Sequence, residues 1–260
     1  MPEQNKNVKP TWQGDKNPSE KILKLGQKIT DCIPHKLKGL TSEDPEYWGL
    51  KELVSDEMAD VALRMEVRVH YPFEEVLKLC PEYNERPEEL KNLLEKMAYI
   101  GLLEFDYGDN FDHDGELKDR PRIKRYSLVP FVPGSAEFFN MRVKDIKAHP
   151  SNASFFERMT FIPLTNVTPM VPEGGDGIGM KVIPVEKAIQ QESKSIDIEH
   201  ISYWLKKYDG HFAAGLCSCR ASRSELKEGC GDDPDDWCIG VGDMADYLVE
   251  TDKGRYVTKE

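Results

Sequence analysis

Cys217, Cys219, Cys230 and Cys238 fall within twenty-two residues, spaced Cys-x-Cys, then ten residues, Cys, then seven residues, Cys. Thiolates are soft ligands, and four of them with no histidine nearby suit either a tetrahedral zinc ion or a [4Fe–4S] cube. The spacing leaves both open. Residues two apart on an extended chain point to the same side, so Cys217 and Cys219 are expected to face one centre. Gly229 and Gly231 flank Cys230 and permit the backbone to approach an inorganic group closely. Cys238 opens Cys-Ile-Gly-Val-Gly-Asp-Met-Ala-Asp-Tyr-Leu248, read as a helix whose free N–H groups and dipole would face an anionic centre. Cys32 and Cys80 are isolated on apolar helical faces and read as buried thiols.

The surroundings of the cluster bear on what it could do. Glu225, Glu228, Asp232, Asp233, Asp235 and Asp236 outnumber Arg220, Arg223 and Lys227. Net negative charge disfavours adding an electron, whereas backbone N–H groups bonded to sulfur favour it. A low-potential centre is expected. Arg220 stands next to a ligand position and would support the centre, dock a partner carboxylate or form a surface ion pair. Trp237 is the expected shield against water; Trp204, with Tyr203, reads as packing. His200 and His211 read as ordinary half-buried histidines, and His70, His113 and His149 have no cysteine or carboxylate in register. Asp235-Asp236 are neighbours in a loop and read as solvated. No Ser-His-Asp order, no Gly-x-Ser-x-Gly and no activated nucleophile supports hydrolysis. The Gly174–Gly179 run lacks the Lys-Ser/Thr of a phosphate loop and reads as connector.

Composition narrows the setting. The 260 residues hold 47 acidic and 35 basic side chains, a net charge of −12, with a pI near 5.1 and a mean hydropathy of −0.59. That charge repels nucleic acid and anionic membranes alike. No run approaches the roughly 20 apolar residues of a membrane span. The start, Met1-Pro-Glu-Gln-Asn-Lys, has no apolar core of a secretory signal, so a cytoplasmic location is expected. In that compartment clustered thiols hold metals more often than disulfides.

The elements that would position the cysteines are legible in outline. Residues 1–50 read as a polar tail, a helix from Ser19 to about Cys32, and a short bridge with Tyr47, Trp48 and Leu50 as packing residues. Within 51–132, Ser55, Pro72 and Pro87 open three helices, Gly101 ends the third, and two strands follow at 102–107 and 122–128. Three helices and a two-stranded wing make a winged-helix order. Residues 44–133 carry 21 acidic against 12 basic side chains, so DNA binding is disfavoured and a scaffolding role expected. Residues 133–180 read as a long helix over 133–161, interrupted at His149-Pro150, and a Pro/Gly-rich connector. Residues 181–260 read as an extended run, a helix to Tyr208, and a strand from His211 to Leu216 leading into Cys217.

Cys217-Ser-Cys219-Arg220, Cys230, Cys238-Ile-Gly-x-Gly and the closing Gly254-Arg-Tyr-Val-Thr-Lys-Glu260 resemble the iron–sulfur domain of ferredoxin-type and flavin-linked oxidoreductase proteins of anaerobes. Tyr126-x-Leu128-x-Pro130-Phe-Val-Pro-Gly134 and Val182-Ile-Pro-Val-Glu186 resemble the same group, which carries a winged-helix segment before its cysteines. The resemblance implies an α+β chain in which a winged-helix-like domain precedes a small Cys-rich iron–sulfur domain. It implies one [4Fe–4S] cluster on Cys217, Cys219, Cys230 and Cys238, and a non-catalytic electron-transfer role. Relatives commonly continue into FAD- or NAD(P)-binding regions, whose fingerprints these residues lack, so such a cofactor is expected on a redox partner. Two other functions remain open: a redox-sensing winged-helix transcriptional regulator, and a structural zinc module.

Overall fold

Serine hydroxyls start two of the helices. In the computed structural model, which describes residues 17–32, 39–108, 121–154, 201–208, 210–227, 231, 233–235 and 237–258, Ser19 Oγ accepts the Ile22 N–H at 3.3 Å. Ser55 Oγ accepts that of Met58 at 3.2 Å. Each hydroxyl satisfies a donor that the first turn leaves free. Helix α1 (Glu20–Asp31) buries Ile22, Leu25 and Ile29 against α2 (Pro45–Leu53) and α3 (Asp56–Arg64). Helix α2 stands where only a bridge was expected, because Pro45 fits the first helical turn while Gly49 weakens the sequence signal. Its Tyr47, Trp48 and Leu50 are buried as foreseen. Cys80 is buried, but Cys32 is exposed at the C-cap of α1, where it leaves the apolar stripe.

Strand β1 (His70–Pro72) and helices α4 (Phe73–Leu79) and α5 (Pro87–Ile100) follow, then β2 (Leu103–Asp106) and β3 (Arg125–Leu128). Gly101 ends α5 at φ +101, with its N–H on the Met97 and Ala98 carbonyls. A Cβ there would stand 2.4 Å from that of Phe138. The antiparallel sheet has the order β1-β3-β2. Both long strands are shorter than expected, and the acidic tip between them lies outside the described residues.

The segment expected as one helix over 133–161 is broken. Val132, Pro133 and Gly134 take non-helical angles. Helix α6 (Ala136–Phe139) ends where Asn140 Nδ2 donates to the Ala136 and Asn152 carbonyls at 2.8 and 3.2 Å. Helix α7 (Val143–Ala148) stops before Pro150, as its missing N–H requires. Residues 151–154 are helical again; residues 155–161, the connector and the extended run at 181–185 lie outside the described residues. Helix α8 (Ile201–Lys207) resumes the chain.

The cysteine-bearing end is built from β4 (Phe212–Gly215), α9 (Ser218–Glu225), β5 (Cys238–Val241), α10 (Asp243–Glu250) and β6 (Gly254–Val257), with sheet order β5-β4-β6. The described residues thus mix helices with small antiparallel sheets, an α+β composition, and no described helix is long and apolar enough to cross a membrane.

One buried cluster runs from Ile22 through the first sheet to Tyr247 and Leu248 of α10. Fully buried Tyr247 directs its hydroxyl to the Ala98 and Leu103 carbonyls, both at 3.1 Å. Phe105 and Phe138 meet its ring edge-on at 5.3 and 4.8 Å. Burial pushes its phenol well above the ordinary range, so it remains a donor. Around this contact, Tyr107 donates to Glu250 at 2.5 Å and Arg122 pairs with the buried Asp246.

Tyr247→Phe removes the donor but keeps the ring. A loss of about 1–2 kcal/mol is expected in urea unfolding, against about 3–5 kcal/mol for Tyr247→Ala. Equal losses would mean that the ring contributes nothing beyond its hydroxyl.

Candidate metal centre

Strand pairing brings distant cysteines together. Strand β4 pairs antiparallel with β5 so that Gly215 faces Cys238, two residues before Cys217. Gly215 also faces Gly254 of β6, and a Cβ on it would stand 2.6 Å from the Lys253 carbonyl oxygen. The bare backbone therefore allows the three strands to close at this row. Beneath the site, Leu216 and Ala221 pack with Ile146 and Ala153, the last two from the broken helical segment.

The local geometry at the first pair differs from the expectation. Cys217 is the N-cap of α9 and Cys219 lies in its first turn, so the pair is not extended. The Cys217 N–H donates to the Pro234 carbonyl at 2.8 Å, and its own carbonyl accepts the Ala221 N–H at 2.9 Å. The second expectation shifts with it. Cys238 begins strand β5, and the helix after it starts at Asp243 behind Gly242, whose φ is +59. The helix N-terminus at the site is therefore that of α9. Small residues caused the misreading: Ser218 and Ala221 suit a helical turn as well as an extended run, and Gly240 and Gly242 carry no periodicity.

Cys217 acts on both Cys219 and Cys238. Burial, then the charge and hydrogen bonding of Cys217, then the charge of Cys219, push the Cys238 thiol up to about 11, while the Ser218 N–H pulls the other way. Cys219 is exposed as a residue, yet desolvation of its thiol and the Cys217 charge raise it too. Three thiols that would repel as thiolates need a cation to ionise together. Cys230 and Gly229 lie outside the described residues, so the structure gives their placement no account. Among the described residues, no three Cys, His, Asp or Glu side chains stand in an arrangement that would hold a metal ion. In its chemistry the donor set fits a thiolate-ligated centre, with soft sulfurs beside the first turn of a helix.

The flanking residues resolve into a small frame. Trp237 donates its indole N–H to the Asp233 carbonyl at 2.8 Å, and the Arg220 guanidinium lies 3.9 Å from its ring. Trp237 is 55% exposed, so it borders the site without sealing it. Tyr203, Trp204 and Tyr208 pack on one another along α8. His211 Nε2 is 3.0 Å from Asp246 Oδ1 rather than at a cysteine, and Tyr256 donates to the same oxygen at 2.6 Å. His149 meets Glu52 and His70 meets Asp106; His113 and His200 lie outside the described residues. Asp235 is exposed, as expected. Asp246 escaped the sequence reading because an aspartate in a helical stretch gives no sign of being 1% exposed.

In the metal-free chain, Cys238 is expected to react slowly with iodoacetamide at pH 8, where a thiol of pKa near 11 is about one part in a thousand thiolate. Peptide mapping should show the rate rising about tenfold per pH unit to pH 10. A plateau below pH 9 would contradict this environment.

No protein-family model matches the chain, and no curated protein or solved structure matches it significantly.

Proposed function

We propose that the chain is an iron–sulfur electron-transfer protein or subunit, carrying one [4Fe–4S] cluster on Cys217, Cys219, Cys230 and Cys238 for a partner oxidoreductase. The observation that supports this reading is that a helix start and a paired strand bring Cys217 and Cys219 near enough to Cys238 to raise its thiol. When bound, such a cluster supplies one-electron transfer without proton or group chemistry. Cys217, Cys219 and Cys238 would hold it, with Cys230 as the fourth ligand. The Ser218 N–H, already directed to the Cys238 sulfur, would stabilise the added electron. Asp233 and Asp235 would lower the potential and favour a basic face on the partner. That partner, on this reading, brings the FAD or NAD(P) cofactor, and the compartment is the cytoplasm.

The fold fits a scaffolding role for the first half. The order α3, β1, α4, α5, β2, β3, with its β1-β3-β2 sheet, supports a winged-helix-like reading of this half. On this reading the half is a winged-helix-like domain and the cysteine end an iron–sulfur domain. The outer face of α5 exposes Glu88, Glu89, Lys91, Asn92 and Lys96, with no excess of positive charge for phosphates. Lys124 faces Glu95 and Glu250 instead. These contacts disfavour the redox-sensing regulator.

Anaerobic reconstitution with iron and sulfide should give a broad visible absorption that dithionite bleaches, with a reduction potential below about zero millivolts. Cys217→Ser and Cys238→Ser should each lose it and the electron flow to a partner, whereas Cys80→Ser should retain both. About one zinc per chain with no sulfide would overturn the electron carrier in favour of a structural module. Altered promoter binding by Cys217→Ser would favour the regulator.

A further inference from the structure

Cys238 has a large apolar side chain on each side of it, and both face solvent: Trp237 is 55% and Ile239 57% exposed. Two residues apart at the start of β5, they share a side of the extended chain. Asp233 and Asp235 stand exposed just before them. The Cys217 N–H, bonded to the Pro234 carbonyl at 2.8 Å, ties this segment to the first cysteine pair.

Trp237 is held in place from within the chain. Its indole N–H donates to the Asp233 carbonyl at 2.8 Å, and the Arg220 guanidinium lies 3.9 Å from its ring. A fixed aromatic ring loses little conformational freedom when a partner covers it, and tryptophan is prominent among the side chains that anchor interfaces. A small patch suffices for a transient contact, since electron-transfer encounters bury less than about 1,200 Å² in total. Charge selects the occupant. Asp233 Oδ1 accepts the Asp235 N–H at 3.0 Å, and among the described residues neither carboxylate stands in an ion pair. Arg220, and Arg255 in the cross-strand row of Ile239, are each engaged in contacts within the chain. Residues 231–239 carry four aspartates and no basic side chain. The complement of this surface is an apolar recess with a basic rim.

Resting on the electron-carrier reading, we propose that Trp237 and Ile239 form the centre of the surface on which the redox partner docks. That partner is a protein presenting an apolar recess rimmed by lysine or arginine, and Asp233 and Asp235 are the rim on this side. One electron crosses the contact beside Cys238, with no proton or group transferred. The test uses the reconstituted full chain, reduced with dithionite and freed of excess reductant, with cytochrome c, a basic haem protein, as the probe. Each electron reduces one haem iron from Fe(III) to Fe(II) as the cluster is oxidised, and stopped-flow absorbance follows the haem. The rate is expected to saturate with cytochrome c and to fall as salt rises. Trp237→Ala and Ile239→Ser should each raise the half-saturating concentration about fivefold, with the plateau rate and the cluster absorption unchanged. Asp233→Asn combined with Asp235→Asn should flatten the salt dependence. Half-saturation unchanged in both apolar variants would overturn the docking surface alone, and an unaltered salt dependence in the aspartate variant would overturn the basic partner. A lower plateau at unchanged half-saturation would overturn docking in favour of conduction through Trp237. Absence of the cluster absorption before any probe is added would overturn the electron carrier itself, and this partner with it.

Discussion

The Tyr247 hydroxyl reaches two carbonyls at 3.1 Å from inside the core, one at the end of α5 and one at the start of β2. With its ring edge-on to Phe105 and Phe138, it fixes α10 on the first sheet. Helix α10 in turn packs on all three strands of the second sheet. Gly240 faces it so closely that a Cβ would stand 2.8 Å from Leu248. The row that sets Cys238 opposite Gly215 therefore inherits its position from a phenol buried among aromatic rings. A hydrogen bond of this kind contributes only about 1 kcal/mol net. Its placement matters more than its strength, because a tyrosine buried without partners would be costly.

Charge is arranged to reinforce that contact. The acidity that gives the chain its −12 is partly consumed inside: Asp246 takes Arg122, Tyr256 and His211, and Glu250 takes Tyr107 and Lys124. At the first sheet, burial would push Asp106 up, but hydrogen bonds from His70 and Arg125 hold it well below the carboxylate range. Arg122, Lys124 and Arg125, the basic residues leading into and through β3, thus serve as internal counter-ions. Near the cysteine-bearing strand, Arg142 takes Asp145 and Lys253 takes the Tyr99 carbonyl.

The sequence made some elements legible and hid others for identifiable reasons. Ser19, Ser55, Pro72, Pro87 and Gly101 mark helix boundaries through local backbone chemistry, and the structure places those boundaries within a residue or two of them. The stretch 133–161 has the apolar periodicity of a helix, but Pro133, Gly134 and the Asn140 side chain interrupt it through bonds no periodicity reveals. Cys217, Cys219 and Cys238 were recognisable as a set by type and spacing. Their local conformations were not, because small residues around them suit strand and helix alike.

The central claim is that this frame carries an iron–sulfur centre on four thiolates. Native mass spectrometry of the anaerobically reconstituted full chain tests it most directly. The account predicts a species heavier than the apo chain by four irons and four sulfides, lost on Cys217→Ser substitution. A species carrying a single zinc ion under the same treatment, with no sulfide, would contradict it.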